Sequence, residues 1–152
     1  MTELRELYQQ VILDHNKNPR NFHRPDATNR EQQGHNPLCG DELQIYLYVD
    51  EDDVIQDIGF EGSGCAISKA SASLMTDALK GKPAAAARDL FERFRQVVTG
   101  EIEAELIDDA QIGKLVVFAG VREFPMRVKC ATLAWHTMRS ALDSDQTGVT
   151  TE

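Results

Sequence analysis

Two short runs, LQIYLYV (43–49) and VIQDIGF (54–60), constrain this chain more than any other feature. Both are rich in β-branched and aromatic residues, as strands are. The acidic stretch EDD at 51–53 lies between them and predicts a turn. By hairpin logic the two strands are antiparallel neighbours. A short third strand is expected near Glu61–Ser63.

The remainder reads as helix and loop. Leu4, Leu7, Tyr8, Val11 and Ile12 share one face of a helix over 3–15. Pro19 and Pro25 break the pattern, and 26–38 reads as irregular surface loop. A helix is expected over 65–80, stopped by Gly81 and Pro83, and another over 83–100 with Pro at its start and Gly at its end. Residues 108–121 read as one or two short helices, although the run AQIGKLVVFAGV also suits a strand. A long final helix is expected over 124–142. The order gives an α+β domain over residues 1–142, with a small antiparallel sheet of about three strands and helices packed on one face. The polar tail 143–152 is expected to be disordered.

Composition narrows the function classes. The chain has 152 residues, 41% of them hydrophobic, enough for one domain with a real core. Sixteen basic and 25 acidic residues give a net charge of −9, which argues against a general nucleic-acid surface. No run approaches the roughly 18 apolar residues of a membrane helix. The start, MTELRELYQQ, lacks the pattern of a secretory signal, so a cytoplasmic location is expected.

Three cysteines remain to be explained: Cys39 in NPLCGD, Cys65 in EGSGCAISKAS and Cys130 in RVKCATLAW. An odd count in a cytoplasmic chain does not suit a disulfide framework. Inert core cysteines, a reactive thiol and a metal site built from distant segments all stay open. Gly-Ser-Gly before Cys65 frees the backbone, and a thiol near a helix N-terminus favours the thiolate. Pro37 and Gly40 suggest a tight turn exposing Cys39, with Asp41 able to converge on the same ion. Cys130 sits on an apolar helix face, with Arg127 and Lys129 flanking it. Three thiolates and a carboxylate form a reasonable tetrahedral set for Zn²⁺, and the same thiolates suit Fe²⁺ or an iron–sulfur cluster. There is no CxxC pair, so spacing alone signals a metal only weakly. His35 could reach the site, whereas His15, His23 and His136 are weak candidates. The acidic pairs Asp52–Asp53 and Asp108–Asp109 read as turns or caps. Walker, GxGxxG, GxSxG and HExxH motifs are absent.

Taken in order, NPLCGD (36–41), GSGCAISKASAS (62–73) and RVKCATLAWHTM (127–138) resemble the U-type scaffold family of iron–sulfur cluster assembly, which includes NifU N-terminal, IscU and SufU proteins. The resemblance spans roughly residues 3–142 and includes YQQVILDHNKNPRN near the start. The SufU branch fits best. Lys129 stands where IscU-type members place a histidine, and GKPAAAARDLFERFRQVVTGE (81–101) looks like the SufU insertion.

The resemblance implies a SufU/IscU-like fold and a tightly bound zinc held by Cys39, Asp41, Cys65 and Cys130. It implies a SufS-type, PLP-dependent cysteine desulfurase as partner, with sulfur passed on to downstream proteins of the SUF machinery. Cys39, in a turn, is the expected sulfur acceptor, and the protein would be sulfurtransferase-like. A scaffold that builds a [2Fe–2S] cluster on the same ligands is the alternative, and a structural zinc module is a third reading. Arg127, three residues before Cys130, could compete with a cysteine for Asp41, or could be a surface or partner contact.

Overall fold

The computed structural model describes residues 2–102, 112–143 and 149–150. Helix α1 (Thr2–Lys17) leads into β1 (Arg30–Asn36), β2 (Asp41–Val49) and β3 (Ile55–Ser63). Helices α2 (Ala66–Leu79) and α3 (Ala84–Thr99) follow, then a 3₁₀ helix (Gly113–Glu123), helix α4 (Pro125–Leu142) and a two-residue strand β4 (Val149–Thr150). The sheet order is β3-β2-β1-β4. β1, β2 and β3 form an antiparallel three-stranded unit, and β4 pairs in parallel with β1 at Gly34 and His35.

The expected hairpin is β2–β3. Asp50 organises its turn, its Oδ1 accepting from the Asp52 and Val54 backbone N–H groups at 2.9 and 3.0 Å. Leu43, Ile45, Leu47 and Val49 point to the core at alternate positions, as a strand with one covered face requires. The expected third strand at 61–63 is the end of β3 itself, not a separate element.

The true third strand, β1, lies in the stretch that reads as irregular loop. Its sequence, REQQGHN, shows no apolar alternation because its inward face meets polar or close partners on α4. Gln32 Nε2 donates to Ser140 Oγ at 3.2 Å. Gly34 lies flat against Thr137 and Leu133, where any Cβ would collide. Asn36 Nδ2 reaches Cys130 Sγ at 3.5 Å. Pairing with β2 over all seven residues then fixes the strand.

The run at 113–123 is helical rather than a strand; residues 108–111, including Asp108–Asp109, lie outside the described residues. Val149–Thr150 falls in the tail expected to be disordered, and residues 144–148 and 151–152 lie outside the described residues.

The core centres on Trp135 of α4. Phe94 of α3 stacks on it at 4.9 Å and Phe91 at 6.0 Å, so the segment 81–101 supplies core as well as length. Its indole N–H donates to Ser71 Oγ at 3.2 Å, and that hydroxyl donates to the Ala131 carbonyl, so a buried polar pair ties α2 to α4. The stretch after α1 is tied to α2 in the same way. Ser73 Oγ accepts from the Arg20 N–H at 2.8 Å and bonds His15 Nδ1 at 2.7 Å, while Asn21 Nδ2 donates to Thr76 Oγ1.

Two histidines titrate below their ordinary range. Burial holds His15 down, helped by the Arg20 guanidinium; burial, then Arg139 and Arg95, does the same for His136. The unfolded chain therefore takes up protons before the folded one. Stability should be unaffected by these groups above about pH 6.5 and should fall as pH drops below it. Urea midpoints at about pH 7.5 and about pH 5.5 check this, and equal midpoints would contradict it.

Candidate metal centre

The centre forms where three elements begin or turn. Between β1 and β2, residues 37–40 form a tight turn. The Asn36 carbonyl accepts from the Cys39 N–H at 3.3 Å, and Asn36 Oδ1 accepts from the Leu38 N–H at 3.3 Å. Gly40 then takes φ +70°, which favours glycine. The turn leaves Cys39 half-buried at its edge. Asp41, the first residue of β2, points inward and is fully buried.

Cys65 is the N-cap of α2, and its sulfur accepts from the Ser68 N–H at 3.4 Å. Its own N–H donates to Asp41 Oδ1 at 2.8 Å. Gly64 makes that approach possible, because a Cβ there would stand 2.6 Å from the same carboxylate oxygen. Gly62, at φ +135°, lies as closely over the backbone of Glu42 and Leu43. The Gly-Ser-Gly before Cys65 is therefore needed twice, once for conformation and once for room.

Cys130 comes from the second turn of α4 and is buried, 2% exposed. Its thiol donates to Cys39 Sγ at 3.1 Å. Cys39, Asp41 and Cys130 offer ligand atoms that all lie within 4.8 Å of one another, close enough to share one ion. Cys65 stands beside this group, its Sγ 3.8 Å from Asp41 Oδ2. All three thiols open onto a cavity of about 610 Å³ whose other walls include Ile12, Leu13, Met126 and Arg127.

Electrostatics here departs from the expectation read off the sequence. The helix N-terminus and the flanking cations should favour thiolates. Instead burial dominates: it pushes the Cys65 thiol up, the nearby Asp41 charge adds to this, and the Ser68 N–H opposes it only in part. Burial, then the Cys39 sulfur, pushes Cys130 up further. Asp41 is a fully buried carboxylate with one good N–H bond on Oδ1 and a thiol 3.8 Å from Oδ2. Two thiols converging on such a carboxylate fit a thiophilic divalent cation, which would displace the protons and neutralise the charge.

Arg127 lines the cavity, but its guanidinium lies 4.5 Å over the Phe124 ring, and among the described residues it makes no ion pair with Asp41. The histidines serve elsewhere. His35 faces Glu42 at 3.9 Å, His15 bonds Ser73 and His136 packs edge-on to Phe91. Sequence reasoning missed Asn36, whose signal was an Asx residue opening a turn just before proline. It also missed Ser68, whose buried hydroxyl has no partner among the described residues.

Because uptake of an ion must expel thiol protons, affinity for a divalent metal should fall from about pH 8 to about pH 6, by up to about tenfold per pH unit for each proton displaced. Competition titrations with a chromophoric chelator measure this. Uptake independent of pH would contradict thiol ligation.

Comparison with known proteins identifies the family. The NifU-like N terminal domain family matches residues 7–143. The chain is 39% identical over 144 residues to the zinc-dependent sulfurtransferase SufU of Bacillus subtilis, covering 93% of each chain. It is also 39% identical to the iron–sulfur cluster assembly scaffold protein IscU of Streptococcus pyogenes, over 93% of this chain and 86% of that protein. Among solved structures, a candidate scaffold for iron–sulfur cluster assembly in the SUF system of Fervidobacterium islandicum superposes with a TM-score of 0.81 at 33% identity, over 90% of this chain and 97% of that one. A NifU-like protein from Brucella abortus, 19% identical, shares the fold with a TM-score of 0.79 over 93% of this chain and 97% of that one. With the match spanning nearly the whole chain, this protein belongs to the NifU-like N-terminal domain family.

Proposed function

We propose that this chain is a zinc-binding sulfur acceptor of iron–sulfur cluster assembly, working in the cytoplasm with a SufS-type, PLP-dependent cysteine desulfurase and passing sulfur to SUF proteins downstream. The observation that carries it is the convergence of Cys39 and Cys130 on the buried carboxylate of Asp41, with Cys65 alongside, at the wall of an open cavity. The similarity to a SufU named as a zinc-dependent sulfurtransferase supports the same reading.

In this reading Cys39, Asp41, Cys65 and Cys130 hold the ion. Zinc bound there would keep its cysteine ligands deprotonated at neutral pH. Cys39 is the transfer thiol because it sits in a turn at the cavity edge, whereas Cys130 is locked in a buried helix and Cys65 is bonded into the α2 cap. The Cys39 thiolate attacks the terminal sulfur of a persulfide on the partner. A new S–S bond forms between Cys39 Sγ and that sulfur. The bond to the partner's cysteine breaks, and the partner's sulfur leaves with the electron pair as a thiolate. No net oxidation occurs. Ile12, Leu13 and Met126 give the approach an apolar wall, and Arg127 sets a positive charge at the rim.

The same donors would also accept iron, and the similarity to a scaffold named IscU favours a second reading, assembly of a [2Fe–2S] cluster on these ligands. Anaerobic reconstitution with iron and sulfide distinguishes the two, since only a scaffold yields a stable visible chromophore.

Cys39→Ala should abolish transfer of ³⁵S from labelled cysteine through the desulfurase while leaving the fold intact. Retained ³⁵S uptake would remove Cys39 from the role. Asp41→Ala should weaken zinc binding by about tenfold or more, as loss of a ligand does; unchanged zinc affinity would take Asp41 out of the shell.

A further inference from the structure

The two sulfurs 3.1 Å apart, Cys39 and Cys130, are not equivalent, and one buried side chain makes them so. Asn36 ends β1 and is fully buried. Its carbonyl and Oδ1 accept from the Cys39 and Leu38 N–H groups and so build the turn that carries Cys39. Because Oδ1 is committed to a backbone donor, the amide's orientation is fixed, and its N–H₂ end must face the other way. There Nδ2 meets Cys130 Sγ at 3.5 Å. Among the described residues no amide donates to Cys39 Sγ.

An N–H directed at sulfur stabilises negative charge on it and weakens it as a nucleophile and as a donor. We propose that Asn36 is a positioning residue that divides the labour between these cysteines: it makes Cys130 the poorer nucleophile and leaves Cys39 as the sulfur that accepts and gives up cargo. The inference rests on the sulfur-acceptor reading above.

The consequence is chemical. Once Cys39 carries a persulfide, the adjacent Cys130 sulfur, as the thiolate that a bound ion would maintain, can attack its terminal sulfur. A bond to Cys130 Sγ forms, the bond to Cys39 Sγ breaks, and the electron pair leaves on Cys39 as a thiolate. This exchange is balanced and needs no oxidant or reductant. The Asn36 amide stabilises negative charge on Cys130 Sγ and so holds the sulfur on Cys39. Without it the cargo would drift into the buried position, away from any acceptor.

Two variants separate this role from a purely structural one. Asn36→Ser keeps a short side-chain oxygen for the Leu38 N–H but has no amide. Asn36→Asp keeps the shape and replaces the donor with an acceptor. After loading by the desulfurase, peptide mass spectrometry should place the transferred sulfur on Cys39 in the wild type. In both variants the share on Cys130 relative to Cys39 should rise by about tenfold, the worth of one charge-assisted hydrogen bond. Independently of transfer, the sulfur-to-metal charge-transfer band of the cobalt(II)-loaded protein should move to lower energy in both variants while the ligand-field bands stay tetrahedral. A band at the wild-type energy, or sulfur confined to Cys39 as in the wild type, would overturn the proposal.

Should neither variant fold, the ¹¹³Cd-loaded wild type decides. The Asn36 side-chain amide proton should couple to the metal nucleus through Cys130 Sγ. No coupling from Asn36, with coupling seen from the Ser68 backbone amide through Cys65, would also overturn it. Wild type carrying no transferred sulfur on any cysteine would sink the acceptor reading instead, and the cobalt band would still decide for or against the Asn36 bond.

Discussion

The bond from the Cys65 N–H to Asp41 Oδ1 is the interaction on which the arrangement depends. It joins the first residue of β2 to the cap of α2 across 24 positions of sequence. Asp41 is fully buried, and a carboxylate removed from water must find donors or a cation, or it costs the fold several kcal/mol. One donor is the cap of a helix. Close approach of that cap requires Gly64, and the polarity left over on Oδ2 faces thiols. The same carboxylate thus fixes the strand-to-helix geometry and defines where an ion would sit.

Around that bond the protein is organised to keep a polar site within an apolar body. Helix α4 covers the sheet and delivers Cys130. Its Trp135 is clamped by Phe94 and Phe91 from α3, and tied through Ser71 to α2, which delivers Cys65. Each thiol is therefore held by an element whose position the core sets. Cys39 is the exception, because it hangs on a four-residue turn governed by Asn36 and Gly40. In the proposed sulfur-acceptor role this asymmetry would leave rigid ligands in place and one sulfur on a segment that can present itself.

Much of this was legible in the sequence because it is written in local chemistry. The β2–β3 hairpin follows from its alternating β-branched and aromatic runs, α2 from the stop at Gly81 and Pro83, α3 from proline before and glycine after it, and α4 from the helical stretch 124–142 with Pro125 near its start. The thiols and Asp41 stood out as a donor set with no pairing partner. Strand β1 was hidden because REQQGHN has no apolar face to read. Its inward positions are satisfied by Ser140, Thr137 and Cys130 on a helix about a hundred residues away, and only tertiary structure supplies them. The proton affinity of Cys65 and Cys130 departs from expectation for a related reason. Helix ends and flanking cations are visible in sequence, but burial is not, and burial dominates at Cys65 and Cys130. Asn36 combined both difficulties, being a polar residue in an unrecognised strand whose partner lies 94 positions away.

If folding gathers three dispersed thiols and one carboxylate onto a single zinc ion, X-ray absorption at the zinc K-edge of the purified protein will show it. One zinc per chain is expected, with three sulfurs and one oxygen bound to it, the oxygen lost in Asp41→Ala. A shell dominated by nitrogen or oxygen, or a protein that retains no zinc, would contradict it.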